Sequence, residues 1–444
     1  MKIIPLTYWI EGHKEKLEEI RKTLHPTLSR GISNEIETFI RLYPDIYREA
    51  KEKLLKKSLK LAEKTKNEIK TIRNELLNKI EIKKVNRIKD YMNKPVFGCD
   101  TSSNALPIST AKMYAISGIS IFIKDGEVKD IKALAVDIID AERVMDLFGS
   151  SLESDFSEAI SDEEEFEDVE LRFIVSALRE AYLCELARKH LEEIADRGED
   201  VYAVIIDGPL SISQWYEKVP GYARKKSVKD LIDARNNLME ACKKINALLL
   251  GVVKRGRGRY IHHLLDIAEI SDLNDQDLFH QILNYRERTE TLSITEGIRK
   301  WRKEDELKRY EKSVISEEKL KEKEKELEEK VKSKSLLINR LNYEILGFFV
   351  KTSEDELTQP IRIEFPEYLK GRDEEIASFV ISTSMRSQNY AYIDGLPFAI
   401  AISHMKAKLS SMLMREIYGH ALVKIYQEFQ DLKLLPPEWG ERPW

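Results

Sequence analysis

VYAVIID, residues 201–207, is an unbroken apolar run of strand length that closes on an aspartate. A strand with no polar alternation has no face to give to water. It belongs in the middle of a sheet covered on both sides, usually by helices. PVFGCD (95–100) repeats the pattern: short, apolar and closed by an aspartate. These two runs restrict the chain to an α/β arrangement, and they fix where the rest must go.

The first run opens a series. Residues 113–124 (MYAISGISIFIK) are rich in β-branched and aromatic side chains, and 128–139 (VKDIKALAVDII) read as another strand. Asp125-Gly126 between them is a strong hairpin signal. Three consecutive strands of a meander therefore occupy 95–140. A helix is expected over about 169–195, before the 201–207 strand. Residues 228–250 read as helix and ALLLGVVKR (247–255) as a further buried strand. YEILGFFVKT (343–352) and IRIEFP (361–366) read as later strands, followed by helices over 373–385 and 397–430, the second opened by Pro397.

Strand with aspartate, strand, strand, helix, strand with aspartate is the order of a ribonuclease H-like sheet, in which the first and fourth strands lie side by side. The expected fold is α/β: a ribonuclease H-like mixed sheet flanked by helices, with an N-terminal helical arm and a charged helical insertion. The expected divisions are a helical arm over 1–94, the core over 95–299, the insertion over 300–336, and over 337–444 the remainder of the core with helices suited to dimerisation. The arm is expected because apolar residues recur at helical spacing through 8–92, and Pro95 ends the segment.

Charge is spread unevenly over a chain whose net charge is only −5. Residues 51–95 carry fifteen Lys or Arg against six Asp or Glu, whereas 151–170 carry ten acids and no base. The first is a basic arm able to follow a phosphate backbone, or a solvated helix face. The second reads as a surface loop, since crowded carboxylates repel. No apolar run approaches the roughly 18–20 residues of a membrane helix, and the opening segment is too soon charged for a signal peptide. A cytoplasmic protein without membrane partners is expected. Cys99, Cys184 and Cys242 are far apart and form no CxxC pair, so neither a disulfide framework nor a zinc site is expected.

Asp100 and Asp207 end neighbouring strands in this order and should meet. A third acid is expected from the intervening helix, where Glu180 and Glu185 compete. At about 100° per residue, Glu180 shares its face with Ala177, Cys184, Ala187 and Leu191, while Glu185 falls about 140° away beside Arg188 and Glu192. An acid on an apolar face is expensive unless something pairs with it, and a metal ion would serve. Clustered carboxylates repel and their pKa values rise; divalent cations reverse that cost. Two ions about 3.5–4 Å apart can activate water and stabilise the leaving oxygen of a phosphodiester. Hard oxygen ligands suit Mg²⁺ or Mn²⁺. Each aspartate alone is also an ordinary turn residue, Asp207-Gly208-Pro209 above all.

Four stretches taken in order, VFGCDTSS (96–103), VYAVIIDGPL (201–210), LLLGVVKRGRGRY (248–260) and YIDGLPFAIAISHMKAKL (392–409), resemble the NurA nuclease family. The likeness spans roughly 95–295 and 340–425. It implies a deoxyribonuclease of the archaeal type, acting on DNA ends and single strands by 5′–3′ exonuclease and single-strand endonuclease activity in double-strand break repair. It also implies a preference for Mn²⁺ (Mg²⁺ second), a homodimer, and a hexameric HerA-type ATPase as partner. By resemblance Asp100, Glu180, Asp207 and His404 form the catalytic metal site, although motif spacing alone also allows Glu185. An imidazole ligand suits Mn²⁺ better than Mg²⁺.

Lys254 is expected beside the site, where it would steady the scissile phosphate. With Arg255, Arg257, Arg259 and Tyr260 it forms a glycine-interleaved basic loop suited to phosphate contact. His262-His263 is a rival pair next to that loop. The sequence departs from the family where Thr101 follows the first aspartate in place of glycine, and at Leu396, where an aromatic residue is common.

Overall fold

The computed structural model describes residues 73–107, 112–139, 164–213, 216, 222–254, 256, 258–267, 273–311, 317–356, 358–387 and 395–407. The chain divides into two units, Met1–Lys79 and Ile80–Trp444. Of the first, residues 73–79 are helical, and the remainder of the expected arm lies outside the described residues.

The second unit opens with a departure from expectation. The arm was to stay helical to residue 92, but Ile82–Lys84 form a strand, β1, paired antiparallel with Glu287–Thr289. Helical spacing of isoleucines continues through this stretch, so the pattern alone does not mark the change. What decides it is an open sheet edge on which Ile82 and Lys84 find ladder partners, with Val85 and Tyr91 buried just beyond.

The expected meander follows as β2 (Val96–Pro107), β3 (Lys112–Lys124) and β4 (Glu127–Ile139). Asp125 and Gly126 form the tight turn between β3 and β4, both with positive φ (54° and 74°), as a two-residue hairpin loop requires. Helix α1 (Glu164–Asp196) then leads to β5 (Ala203–Asp207), α2 (Tyr222–Lys244) and β6 (Leu248–Val253). Residues 164–170 of the acidic run are thus helix, not loop. Residues 151–163 lie outside the described residues.

Two short helices, α3 (Tyr260–Leu264) and α4 (Asp275–His280), precede β7 (Glu287–Thr289) and β8 (Leu292–Ser293). The charged stretch is a pair of helices, α5 (Ile294–Glu311) and α6 (Glu317–Lys332). It is less exposed than expected. Ile294, Ile298, Leu327 and Val331 are buried, and Lys303 bridges Glu324 and Glu328 at 2.8 Å each. The apolar stripe is narrow, which is why composition hides it. Strands β9 (Ile345–Val350) and β10 (Ile361–Pro366), then helices α7 (Asp373–Ser387) and α8 (Phe398–Ala407), complete the unit. The proposed extension of α8 to residue 430 lies outside the described residues.

Among the described residues, ten strands form one mixed sheet in the order β1-β7-β9-β10-β6-β5-β2-β3-β4, with β8 beside β9. Most neighbours are antiparallel, but β2–β5 and β5–β6 are parallel. The first and fourth strands counted from Val96 are therefore neighbours, as the order of elements requires. Side chains alternate between the two faces. Helix α1 covers the face of Cys99 and Thr101, where Thr101 Oγ1 donates to the Arg179 carbonyl at 3.4 Å. Helix α8 covers the opposite face, that of Gly98 and Asp100. A dense core on this second side joins Ile121, Ile205, Leu250, Phe348, Ile363 and Phe379. All three cysteines are free and buried. No helix among the described residues is long and apolar enough to cross a membrane.

Candidate active site

The site begins with a matter of register. Strands β2 and β5 run parallel, with Cys99 opposite Ile206. The next residue of each is its aspartate, so Asp100 and Asp207 emerge together at the sheet centre. Behind Asp207 the chain must leave the strand at once. Gly208 does this at φ +139°, its N–H donating to the Val252 carbonyl at 3.0 Å. A side chain would be strained in that conformation.

The third group arrives from the far end of the chain. A Cβ added at Gly98 would lie 2.2 Å from the Ala399 carbonyl oxygen. Glycine there lets α8 lie directly on β2, with Leu396, Phe398 and Ile400 buried beside it. The helix so seated places His404 over the two carboxylates. Its Nδ1 lies 2.8 Å from Asp100 Oδ2 and 3.3 Å from Asp207 Oδ2. From the end of β6, Lys254 Nζ reaches Asp207 Oδ2 at 2.5 Å.

The electrostatics follow from this packing. Burial and the neighbouring Asp207 push the Asp100 carboxyl up to about 7, against the opposing pull of His404 and Lys254. Burial acts on Asp207 too, but the hydrogen bond from His404 and the Lys254 cation overcome it and hold that carboxyl below its usual range. His404 is raised, chiefly by its bond to Asp207. Two acids within reach of one another thus divide their roles, one keeping a proton and one a charge.

Ligand atoms of Asp100, Asp207 and His404 all lie within 4.8 Å of one another. Two hard carboxylate oxygens and one imidazole nitrogen form a donor set that fits a divalent first-row ion such as Mn²⁺.

The remaining expected site residues fall differently. The helical wheel separates the two glutamates of α1 correctly. Glu185 is on the outer side, bonded to Arg188 at 2.8 Å, and Glu180 is on the inner side. Glu180 does not join the three-residue cluster, however. Its carboxylate is paired with buried Arg235 of α2 and accepts from the Tyr216 hydroxyl at 3.3 Å. An acid on an apolar face does need a partner; here that partner is an arginine, where the sequence pointed to an ion.

Arg255 and Arg257 lie outside the described residues. Arg259 is half-buried at the start of α3. Tyr260 is 8% exposed and is packed against Gly258 and Gly297. Its ring is a core element here, which corrects the expectation that it faces nucleic acid. The rival histidines are accounted for: His262 Nδ1 bonds Asp275 at 2.6 Å and His263 Nδ1 bonds Glu304 at 2.8 Å.

Sequence reasoning missed the groups that hold the site's loops. Glu364 of β10 is fully buried and accepts from the N–H groups of Leu210 and Ser211 at 2.8 Å each, just after Asp207. Arg362 balances its charge at 2.8 Å. Arg235 donates to the Ser211 carbonyl at 2.7 Å from the other side. IRIEFP reads as strand, and two buried charges at alternate positions on one face were the available signal.

As a family profile, the NurA domain matches residues 94–409, more than half of the chain. A comparison with curated protein sequences gives no match. Among solved structures, the NurA nuclease from Sulfolobus solfataricus aligns over 86% of this chain and 99% of its own, at 13% identity and a TM-score of 0.49. A NurA structure bound to dAMP and manganese aligns over 86% of this chain and 97% of its own, at 11% identity and a TM-score of 0.41. A further NurA structure with manganese covers 83% and 97%, at 10% identity and a TM-score of 0.38.

Proposed function

Because the chain belongs to the NurA family, we propose that it is a metal-dependent deoxyribonuclease that hydrolyses phosphodiesters at DNA ends and in single strands. The observation that carries this reading is the convergence of Asp100, Asp207 and His404, from β2, β5 and α8, on one point. Asp100 and Asp207 are two carboxylates brought together at the sheet centre, and a cation held between them and His404 would repay their repulsion.

In this reading Asp100, Asp207 and His404 hold Mn²⁺, or Mg²⁺ less well. The ion, when bound, supplies Lewis acidity toward a phosphodiester oxygen and lowers the pKa of water. The protein's own groups do the rest. Asp207, held ionised by Lys254 and His404, offers a permanent charge. To serve as ligands, Asp100 and His404 would each release a proton to solvent. Lys254, with its ammonium at Asp207, is at hand to neutralise the scissile phosphate. Lys254, Arg255, Arg257 and Arg259 follow the DNA backbone by charge, which gives affinity without sequence preference. Glu180 keeps a place as a fourth candidate ligand, one that would first have to release Arg235; a Mn²⁺ titration of Glu180→Gln decides that.

The finer assignments rest on the family likeness: 5′–3′ exonuclease and single-strand endonuclease activity, end processing in double-strand break repair, a homodimer in the cytoplasm, and a hexameric HerA-type ATPase that feeds DNA to the site.

The test is cleavage of end-labelled single-stranded DNA with Mn²⁺, Mg²⁺ or EDTA, using wild type and Asp207→Asn. The expected outcome is Mn²⁺-dependent degradation, abolished by EDTA and reduced at least about a thousandfold in the variant, with its fold intact by circular dichroism. Equal cleavage by Asp207→Asn would refute the site. Tight DNA binding with no cleavage, with or without the ATPase, would make the chain a DNA clamp on a nuclease scaffold.

A further inference from the structure

Of the basic segment between β6 and α3, the described residues 254, 256, 258 and 259 belong to no helix or strand, yet their backbone is fastened at several points by α4. Gln276, 3% exposed, donates from Nε2 to the Lys254 carbonyl at 2.6 Å and to the Pro360 carbonyl at 2.7 Å. Its Oε1 accepts from the Gly256 N–H at 2.8 Å. The adjoining Asp275 donates its own N–H to the Gly258 carbonyl at 3.1 Å. The Asp275 carboxylate accepts from the N–H groups of Ile261 and His262 at 3.1 and 3.3 Å. Two consecutive residues therefore hold the chain at 254, 256 and 258 in the loop and at 261 and 262 in α3, the grip on Gly258 being a main-chain N–H and the others side chains.

A buried glutamine whose bonds all go to main chain has no role in bond breaking. Its role is to set the path of the backbone. The amide suits the task because it carries two donors and an acceptor in one plane, and here two carbonyls and one N–H converge on it. Lys254 is the residue at which strand β6 gives way to the loop. Fixing its carbonyl and the Gly256 N–H fixes the direction in which the Lys254 side chain leaves, toward Asp207 at 2.5 Å.

We propose that Gln276 is a positioning residue that holds the Lys254–Gly256 backbone in register with the carboxylate site and so presents the basic loop to a DNA phosphate backbone. The proposal rests on the nuclease reading. It adds a residue that sits on a separate helix, makes no hydrogen bond to the three metal-ligand candidates, and acts through the backbone of the loop and of Pro360.

The experiment uses the full chain as wild type, Gln276→Leu and Gln276→Glu. The probe is a fluorescein-labelled oligo(dT) single strand. Three quantities are read: KM and kcat in Mn²⁺, binding in EDTA as a function of salt, and Mn²⁺ affinity by titration. Gln276→Leu removes all three bonds at nearly constant volume. It is expected to raise KM about tenfold, with kcat at saturating DNA within about threefold of wild type. The slope of log affinity against log salt should shrink as phosphate contacts are lost. Mn²⁺ affinity should stay unchanged.

Gln276→Glu gives a signature that loss of structure cannot imitate. Ionised, it points a carboxylate at two carbonyl oxygens; protonated, it regains a donor. Its KM should fall toward the wild-type value as pH drops from about 8.5 to about 6, a trend absent from wild type.

A KM and salt slope unchanged in both variants would overturn the proposal. So would a joint fall of kcat, Mn²⁺ affinity and melting temperature without the pH-dependent recovery, since that marks a structural role only. If Gln276→Leu does not fold, the pH profile of Gln276→Glu decides by itself. A wild type that neither binds nor cleaves the oligonucleotide would sink the nuclease reading first and this proposal with it. A wild type that does both, beside indifferent variants, sinks the positioning role alone.

Discussion

Asp100 is the residue whose chemistry the fold alters most. Its carboxyl, pushed up to about 7 by burial and by Asp207, keeps a proton that the unfolded chain releases near 3.8. Between those values the folded, metal-free protein binds the extra proton, so this group's contribution to stability is full at low pH and is lost as pH rises toward 7. Melting of the metal-free chain should therefore drop by a few degrees from about pH 5 to about pH 8, and less so in Asp100→Asn. Mn²⁺ should reverse the trend, stabilising more at the higher pH, where no proton competes for the carboxylate. Calorimetry with and without Mn²⁺ measures both; an Asp100→Asn curve parallel to wild type would remove the proton from Asp100. The two aspartates were legible in the sequence because each closes an apolar run, although Asp100 lies inside the longer β2 rather than at its end, and Glu180 was legible as an acid on an apolar helix face. What it pairs with was not. A wheel places a side chain on a face but does not show what α2 brings to that face, and Arg235 sits 55 residues away in a helix read only as helix. Gln276 was hidden because its partners are main-chain atoms, which leave no mark on composition; Glu364 left one, its alternation with Arg362, but not the N–H groups of Leu210 and Ser211 that it holds.

At the scale of elements, the parallel pair β2–β5 and the hairpin β3–β4 were readable because backbone physics leaves local traces: apolar runs without alternation, and Asp-Gly where both φ values must be positive. β1 and β7 were not readable. Three residues carry no period; β1 exists because β7 provides a ladder, and β7 because it lies between β1 and β9. The α5–α6 pair shows the opposite error, where abundant Lys and Glu conceal a thin apolar seam. Leu327 is fully buried in that seam. Leu327→Ala should cost about 2–4 kcal/mol, read as a lower melting temperature. Cleavage assayed well below the transition should be unchanged, because α6 contributes no side chain to the carboxylate cluster. Full loss of cleavage in a folded Leu327→Ala protein would mean that the pair acts on the site and does more than support α3. The contacts of α5 with the neighbouring helix, His263 to Glu304 at 2.8 Å and Gly297 against Tyr260, are the route it would take.

Over the whole molecule, a net charge of −5 sets a limit on how DNA is held. Such a chain does not attract DNA at large; attraction has to come from a local cluster. If Lys254, Arg255, Arg257 and Arg259 are the phosphate contacts, about 0.7 counterions are released per contact on a single strand, which gives a salt slope near −3. Removing one arginine should flatten the slope by about 0.7, read by fluorescence anisotropy across a salt series. A slope several-fold steeper would place further contacts elsewhere, the lysine-rich 51–95 stretch first. One feature of this architecture bears on the life of the chain before it is finished. Gly98 accepts α8 against β2, and so Asp100 receives its imidazole from a residue 304 positions later. During synthesis β2, β3, β5 and β6 can pair and both carboxylates can take their places while the ribosome is still far from His404. A nascent chain, or one cut short before Phe398, would then carry the aspartates without the third ligand. The molecule is in this sense disarmed until residue 404 has been made and folded into place, and the activity proposed for it is withheld from every fragment that stops before that residue.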